Sequence, residues 1–380
     1  MEKRETMAGT PAATIPNVPL DAPSGGRVVP FRNATLERSE INVQLTGTIT
    51  AAQQPLEYPI EGNGFIFGIV LDVAVVTAGN GAAVAYQEDG AWSALALVAL
   101  SDSGAQAISV TGFQLFLCNL SHRLYTGRFW DQSSLNTLVT GAGATGGSFT
   151  FLLRVPLGIN RRTLIGILGN QDRSIKYSLR TDVAPSSFIY STPPTNAGAY
   201  TIQKLYENYS VPSPTGPGGT QEVIPATYGS LSFLTATRSE NPPSGGSTVN
   251  HYIRRTGNTV RYYILVFRLN GSRANAETNA PTRIQLKVGD TDVFNETYRY
   301  RRALMFERYG FDFPSGVLVY DTIHDFTAGA GYELGDDWWS TQAVANGQFQ
   351  VTYPAGFGNT NNSLEFITND MSLTGQTLAA

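Results

Sequence analysis

The run VTGAGATGGS, at residues 139–148, has the spacing of a dinucleotide-binding fingerprint. Gly141, Gly143 and Gly146 fit the pattern G-x-G-x-x-G, whose glycines allow the backbone to approach a pyrophosphate. The pattern binds an anion only where a helix begins at the third glycine and supplies its N–H groups and dipole. Here the β-branched and aromatic run SFTFLLRVPL follows and predicts a strand. We therefore interpret the glycines as a turn between strands, expect no nucleotide cofactor, and expect alanine to be tolerated at Gly143 and Gly146.

The other residue types that carry chemistry are few and scattered. Cys118 is the single cysteine, so no intrachain disulfide can form, and its apolar context FQLFLCNL indicates a buried small hydrophobe. His122, His251 and His324 are not at metal-ligand spacing from each other or from Cys118. The acidic pair at 336–337, in ELGDDWWS, is interpreted as part of a charged loop. The sequence therefore predicts no catalytic, cofactor-binding or metal site, and a protein that is not an enzyme.

The composition combines a large apolar fraction with little charge. Of the 380 residues, 42% are hydrophobic and only 15% are charged, against about 25% in typical soluble domains. The formal net charge is −4, and the cations are 22 Arg against 4 Lys. Arg is favoured in interfaces because its planar fork forms bidentate pairs and stacks on aromatic rings. Low charge is typical of surfaces covered by other chains and of loop-rich β-structure, and both fit this chain.

Residues 1–30 are predicted to form an N-terminal arm. They are polar, contain several prolines and lack periodicity. Their positive and negative charges nearly cancel, so the arm is not a polybasic segment for nucleic acid. They contain no apolar stretch of the kind that a secretory signal needs.

The remainder of the chain predicts two β-rich units. From residue 40 onward, short apolar runs alternate with turn residues, and the chain contains 39 Gly and 20 Pro, which favours an all-β sandwich or barrel. The segment VPSPTGPGG, at residues 211–219, is the strongest candidate linker. We therefore predict a first unit at 31–210 and a second at 220–380.

Two segments look helical, and each lies between two predicted strands. The first is NRRTLIGILG, at residues 160–169, and the second is NETYRYRRALMFERYG, at residues 295–310, with Asn295 as the N-cap and Gly310 as the stop. The shared context predicts one architecture that occurs twice. The run AISVTGFQLFLCNL, at residues 107–120, is instead grouped with the strands. Met305 is expected to be buried.

Three segments resemble the major capsid proteins of tailless, membrane-containing bacteriophages of the tectivirus type. One is RRALMFERYGFDFPSGVLVYD (301–321), with its D-F-P-x-G turn after an Arg-rich helix. The others are GSFTFLLRVPLGINRRTLIGILGN (147–170) and AYTIQKLYENYSVP (199–212). The chain length and the doubled unit agree with that family.

The resemblance implies a double jelly roll, in which two eight-stranded β-sandwiches, each with a short helix, lie in one chain. It implies pseudo-hexameric homotrimers that tile an icosahedral shell around an internal membrane and a double-stranded DNA genome. The implied partners are the chain itself, neighbouring trimers, minor capsid, vertex and membrane proteins, and the internal viral membrane, without direct nucleic-acid binding. The implied location is the virion shell after synthesis in the host cytoplasm.

A second function stays open at this point. The chain contains 18 Tyr and 19 Phe, which are compatible with a two-domain β-sandwich that binds or hydrolyses glycans, such as a viral spike. For the capsid interpretation, Arg301, Arg302 and Arg308 share one short helix. We expect at least one of them to pair with an acid or a carbonyl of the same or an adjacent subunit.

Overall fold

The computed structural model describes residues 30–60, 64–78, 80–102, 105–121, 136–159, 164–171, 177–212, 215–216, 219–220, 224, 231–239, 245–253, 257–274, 279–322, 339–341, 347–357 and 361–372. Strands dominate these residues, which confirms the predicted all-β class. No helix in these ranges is both long and apolar enough to cross a bilayer. Most of the predicted arm, residues 1–29, lies outside the described residues.

The elements of the first half run from residue 31 to residue 209. The strands are β1 (Glu37–Thr48), β2 (Glu57–Pro59), β3 (Phe65–Val76), β4 (Asn80–Tyr86), β5 (Leu95–Asp102), β6 (Ala105–Val110), β7 (Thr137–Leu138), β8 (Gly141–Gly143), β9 (Phe149–Pro156), β10 (Leu168–Gly169), β11 (Tyr177–Val183), β12 (Tyr190–Thr192) and β13 (Ala199–Tyr209). The helices are α1 (Phe31–Ala34), α2 (Gly112–Ser121) and α3 (Ser186–Ile189), with a 3₁₀ turn at Gly90–Ala94.

The elements of the second half run from residue 231 to residue 372, after a small hairpin. The strands are β14 (Thr215–Gly216), β15 (Gly219–Thr220), β16 (Leu231–Arg238), β17 (Thr248–Tyr252), β18 (Thr259–Leu269), β19 (Ser272–Arg273), β20 (Arg283–Val288), β21 (Thr291–Glu296), β22 (Val317–Asp321), β23 (Trp339–Ser340), β24 (Gly347–Thr352) and β25 (Ser363–Ser372). Helix α4 spans Tyr298–Tyr309, and a 3₁₀ turn spans Ala355–Phe357.

The first half is a jelly roll of two facing sheets. One sheet has the order β1-β13-β3-β9, extended by β7 and β10, and the other has the order β2-β11-β5-β6. Residues alternate between core and surface along the strands, as in β9, where Phe149, Phe151 and Leu153 are buried between partly exposed neighbours. This period-2 pattern is what one face packed on a core requires.

The second half repeats the first strand by strand. Its sheets have the orders β16-β25-β18-β22 and β17-β24-β20-β21, which match β1-β13-β3-β9 and β2-β11-β5-β6. Aromatic rings fill the space between the two sheets: Phe349 lies 5.4 Å from Tyr263, and Phe294 stacks on Tyr320 at 4.5 Å between ring centroids. The predicted doubling of one architecture is therefore confirmed, and the fold is a double jelly roll.

A parallel strand pair joins the two jelly rolls. β6 of the first roll pairs with β16 of the second, with Ile108 opposite Leu234 and Ser109 opposite Thr235. One ten-stranded sheet consequently runs through both rolls. Burial agrees with this junction, because Ile108 and Leu234 are fully buried.

Of the two predicted helices, the one at 295–310 is present. The one predicted at 160–169 is absent from its described residues, 164–169. Helix α4 ends at Gly310 in the left-handed conformation, with φ of 72°, as predicted, but Thr297 is the N-cap in place of Asn295. Asn295 ends up in β21 because the hairpin from β20 continues to Glu296. Residues 164–169 form a turn and the short strand β10, and residues 160–163 lie outside the described residues.

The partner of α4 in the repeat is α2, in a segment that the sequence grouped with strands. Both helices follow the edge strand of a hairpin, β6 or β21, and precede the next long strand, β9 or β22. Nine of the ten residues of α2 are buried. A helix that is buried on every side has no polar face, so its apolar run resembles a buried strand.

The glycine run at 139–148 is a turn between strands, as predicted. β8 and a four-residue turn lead directly into β9, and no helix begins at Gly146. The expected tolerance to alanine is wrong. A Cβ at Gly146 would lie 2.5 Å from the carbonyl oxygen of Gly141, and Gly143 has φ of 145°, a region that disfavours side chains.

The linker prediction at 211–219 stays a prediction, as do the boundaries of the two units. Strands β14 and β15 pair at the end of this segment, with Thr215 opposite Thr220. The last strand of the first roll ends at Tyr209, and the first strand of the second roll begins at Leu231.

Met305 anchors α4 to the second roll and provides a test of this packing. Its side chain is 2% exposed, and its sulfur accepts a hydrogen bond from the backbone N–H of Val319 at 3.3 Å. We expect Met305→Asp to lower the free energy of unfolding by several kcal/mol, because it buries an unpaired carboxylate.

The matched control is Ala303→Asp, on the exposed side of the same helix, which should change the stability by less than about 0.5 kcal/mol. Thermal and urea unfolding would measure both variants. Equal melting temperatures for the two would show that α4 does not pack as described.

Candidate functional site

Cys118 lies in the interior and not in a reactive position. It is fully buried in α2, and this burial raises the pKa of its thiol to about 12. A thiol with a raised pKa is a poor nucleophile and a poor metal ligand, because both roles need the thiolate. Among the described residues, no group of His, Cys, Asp and Glu could hold a metal ion.

His251 is the one predicted candidate histidine that the structure describes, and it is part of the core. It is 4% exposed in β17, with Nδ1 hydrogen-bonded to the Ser239 hydroxyl at 2.5 Å and Nε2 to the Tyr353 hydroxyl at 3.3 Å. Burial lowers the pKa of its imidazole to about 4. His122, His324 and the acidic pair at 336–337 lie outside the described residues.

Lys204 is a buried cation inside the first roll. Its side chain is fully buried on β13, where Nζ donates to the carbonyl of Leu179 at 3.3 Å and lies 4.4 Å from the centroid of the Tyr58 ring. Burial lowers the pKa of the amine to about 8. The contact crosses the sandwich from one sheet to the other, which is a structural role.

The feature that stands out is the inter-roll seam, which we define as the contact of β6 and α2 with β16, β18 and β25. Gln114 of α2 donates from Nε2 to a carboxylate oxygen of Glu365 in β25 at 3.0 Å. Phe113 of α2 lies under two guanidinium groups of the second roll, those of Arg268 at 5.9 Å and Arg273 at 5.2 Å. The seam therefore combines strand pairing with side-chain contacts from α2.

Arg268 and Arg273 also bind the carboxylates that precede the 3₁₀ turn of the first roll. Arg268 donates to Asp89 at 2.8 Å and to Glu365 at 2.6 Å. Arg273 donates to Asp89 at 3.0 Å, and its backbone N–H donates to a carboxylate oxygen of Glu88 at 2.5 Å. One mostly buried guanidinium thus links an acid of each roll.

The electrostatics of the seam favour a permanent contact. Burial disfavours the charged guanidinium of Arg268, but Glu365 and Asp89 outweigh that effect and hold its pKa above the ordinary value. Both carboxylates are less than a fifth exposed at the side chain. Charges of this kind are costly to separate, because removal of one partner leaves the others buried and unpaired.

The three arginines of α4 that the sequence analysis named all have partners, as it expected for at least one. Arg301 donates to the carbonyl of Val319 and Arg302 to the carbonyl of Pro314 at 3.1 Å. Arg308 pairs with Asp321. These contacts lie within one chain and attach α4 to β22 and to the turn before it.

The sequence analysis missed α2, which carries much of the seam, although a local signal was present. The hydroxyl of Thr111 accepts from the N–H of Gln114 at 3.2 Å, and the side chain of Gln114 accepts from the N–H of Thr111 at 2.9 Å. This is a capping box, whose sequence pattern is T-x-x-Q. The ionic partners of Arg268 left no such signal, because they come from residues far apart in the chain.

Comparison with solved structures finds the same fold in virus capsid proteins. The chain is similar to the major capsid protein of Sulfolobus turreted icosahedral virus (STIV), with a TM-score of 0.61, 13% identity, and coverage of 89% of this chain and 100% of that one. It is similar to a chain of the PBCV-1 virus capsid, with a TM-score of 0.57, 13% identity, and coverage of 89% and 93%.

A third likeness is to the major capsid protein of bacteriophage PM2, with a TM-score of 0.50, 10% identity, and coverage of 87% of this chain and 97% of that one. At these identities the likeness shows the fold and does not select the tectivirus type. No protein-family model matches the sequence, and a search of curated proteins finds no relative.

Arg268 should contribute more to stability than an exposed arginine. We expect Arg268→Ala to lower the free energy of unfolding by roughly 3–5 kcal/mol, because Asp89 and Glu365 lose their shared partner. Arg32→Ala, at an exposed position of α1, is the control and should stay within about 0.5 kcal/mol of the parent. If denaturant unfolding gives the same loss for both, the seam does not depend on this ion pair.

His251 should make the fold sensitive to acid. Its pKa is about 4 in the folded chain against 6.5 ordinarily, so the unfolded chain binds the extra proton between these values. The contribution of His251 to the free energy of unfolding is therefore fully present above pH 6.5. It falls by about 3 kcal/mol as the pH drops toward 4. His251→Gln should remove that part of the slope in melting curves recorded from pH 7 to pH 4. An unchanged slope would mean that the imidazole is not buried in neutral form.

Proposed function

We propose that this protein is a viral major capsid protein, a structural subunit without enzymatic activity. The observation that carries the proposal is the double jelly roll itself, with eight equivalent strands in each half and one sheet that runs through both. Three of the compared structures with TM-scores of 0.50 or more are named for a capsid or a major capsid protein, and this chain covers 93% or more of each. The match therefore extends over nearly their whole length.

The chemistry of the described residues supports a structural role. Cys118 and His251 have surroundings that disfavour nucleophilic or acid–base work, and Lys204 holds two sheets together. In the charge cluster around Arg268, the guanidinium pairs with Asp89 of the first roll and Glu365 of the second. Such a pattern uses polar groups to fix one arrangement of the chain, which is what a subunit of a regular shell needs.

The subunit is proposed to be a homotrimer of pseudo-hexameric outline. Three chains with two equivalent sandwiches each supply six similar blocks, and closed rings are the usual outcome of repeated head-to-tail contacts. The low charge, at 15% of residues, and the excess of Arg over Lys suit a surface that other copies cover.

The finer assignment follows the sequence resemblance. In it, trimers tile an icosahedral shell around an internal membrane and a double-stranded DNA genome, as in tectivirus-like bacteriophages. The partners are neighbouring trimers, together with minor capsid, vertex and membrane proteins. An arm whose charges nearly cancel, at residues 1–30, suits a shell whose inner surface meets lipid and does not bind DNA directly.

Light scattering after size-exclusion chromatography tests the proposal. We expect the purified chain to elute with three times the mass of its 41.0 kDa monomer, and to hold that mass on dilution, as obligate oligomers with large interfaces do. In virions, the same chain should be the most abundant protein band. A monomer at every concentration, absent from purified particles, would contradict the capsid function.

A further inference from the structure

Two apolar strands, β9 and β22, lie at sheet edges among the described residues. β22 pairs with β18 alone, and β9 pairs with β3 on one side and with β7 only at Phe149 and Thr150 on the other. Their sequences are FTFLLRVP in β9 and VLVYD in β22. Apolar segments of high β-propensity and little charge pair readily with strands of other molecules when their edge is open.

Two other edge strands, β1 and β21, have features that oppose such pairing. β1 begins with the charged run ERSE and contains a bulge. β21 contains Asp292 and Glu296, and its register with β20 shifts. Charged side chains and bulges are common devices that keep a natural edge strand from pairing further. β9 and β22 each have a single charged residue, and their pairing with β3 and β18 contains no bulge.

In the second roll, side chains of α4 bind the outer backbone groups of β22. The carbonyl of Val319 accepts from Nε and Nη2 of Arg301, at 2.9 and 2.6 Å, and its N–H donates to the sulfur of Met305 at 3.3 Å. The carbonyl of Val317 accepts from Arg302 at 3.4 Å. Along an antiparallel edge strand, the groups of every second residue point away from the neighbouring strand. Those of Val317 and Val319 are therefore the groups that a further strand would use.

In the first roll, Asn119 of α2 binds the outer edge of β9. Its Oδ1 accepts from the N–H of Arg154 at 2.8 Å, and its Nδ2 donates to the carbonyl of Arg154 at 2.9 Å. A side-chain amide has the donor and the acceptor of a peptide group. Asn119 therefore makes both bonds that a residue of an added antiparallel strand would make. Asn136 accepts from the N–H of Leu152 on the same edge at 3.2 Å.

Asn119 and Met305 occupy equivalent positions in the two rolls. Thr111 caps α2 and Thr297 caps α4, and each hydroxyl accepts from the N–H three residues later at 3.2 Å. Asn119 and Met305 are both the eighth residue after the capping threonine, and both accept from a backbone N–H of the next long strand. One position of the repeated architecture thus covers the edge in both rolls, although the two side chains differ in chemistry.

Arg301 is held against the β22 edge by further contacts. Its guanidinium lies 4.2 Å from the centroid of the Tyr320 ring and 3.8 Å from a carboxylate oxygen of Glu296, and its side chain is 12% exposed. Hydrogen bonds from a charged donor are stronger than those from a neutral one. An incoming strand would have to displace this donor from Val319, so the contact favours the closed edge.

We propose that these side-chain contacts of α2 and α4 close the edges of β9 and β22 against pairing with the same strand of a second copy. The excluded partner is a second copy because every copy carries the same two apolar segments, and identical segments stack in register when their edges are open. The helices that follow β6 and β21 therefore prevent aggregation through the sheet edges, in addition to packing on their own rolls.

Arg301→Met tests the edge of β22, because it removes both hydrogen bonds to the carbonyl of Val319 and keeps a long apolar side chain. We expect the folded variant to form thioflavin-T-binding aggregates at least about tenfold faster than the parent, the factor that corresponds to one lost hydrogen bond from a charged group. Arg299→Met, at an exposed position of the same helix, is the matched control and should aggregate as the parent does.

A core variant separates an open edge from a general loss of stability. Val351→Ala, at a fully buried position of β24 in the opposite sheet, lowers the stability without changing either edge. Each chain is incubated at the same interval below its own melting temperature. We expect Arg301→Met to aggregate faster than Val351→Ala. Equal rates would show that aggregation follows stability alone and would overturn the proposal.

Peptide binding identifies the strand that pairs and extends the test to the first roll. A fluorescent peptide of residues 315–322, SGVLVYDT, should bind Arg301→Met and not Arg299→Met, as measured by fluorescence anisotropy. A peptide of residues 148–155, SFTFLLRV, should bind Asn119→Leu and not Asn33→Leu, a control at an exposed position of α1. If one variant does not fold, the other decides. Folded variants that bind their peptide no better than the controls would overturn the proposal and leave the capsid function intact.

Discussion

The rest of the structure depends on the parallel pairing of β6 with β16. An edge strand presents unpaired N–H and C=O groups, and a jelly roll has such edges at the ends of its sheets. The chain satisfies one edge of its first roll with the first strand of its second roll, so the two rolls share a sheet. Helix α2, with nine of ten residues buried, packs on β5, β9 and the 3₁₀ turn of its own roll, and Phe113 and Gln114 contact the second roll that this pairing brings against it.

A cluster of charged side chains lies at this junction. Arg268 holds Asp89 of the first roll and Glu365 of the second, and Arg273 adds Glu88 and the ring of Phe113. Guanidinium groups suit such a place, because one planar group can pair with two acids and stack on an aromatic ring at the same time. Lysine could not reproduce this arrangement, which agrees with a chain that has 22 Arg and 4 Lys.

The chain uses one architecture twice. The second roll copies the strand order of the first, but among the described residues Val293, Tyr300 and Phe306 of its β21 and α4 are exposed. The two rolls therefore share one topology and differ in how much of their equivalent elements is buried.

The sequence by itself determined the features that local physics controls. Alternating apolar residues predicted the strands and the all-β class, Gly310 predicted the end of α4, and the β-branched run after Gly146 predicted a strand in place of a nucleotide site. Met305 was expected to be buried from helical spacing, and it is. These features depend on neighbours along the chain, which a sequence displays directly.

Only the tertiary structure decided the rest. The buried α2 lacks a polar face, so periodicity could not separate it from a strand, and the stretch at 164–169 became a turn and β10 because β3 pairs with it. The N-cap moved from Asn295 to Thr297 because hydrogen bonds from β20 extended β21. The seam joins Ile108 to Leu234 and Asp89 to Arg268, and such distant pairs are selected by the register of packed sheets, which no local pattern records.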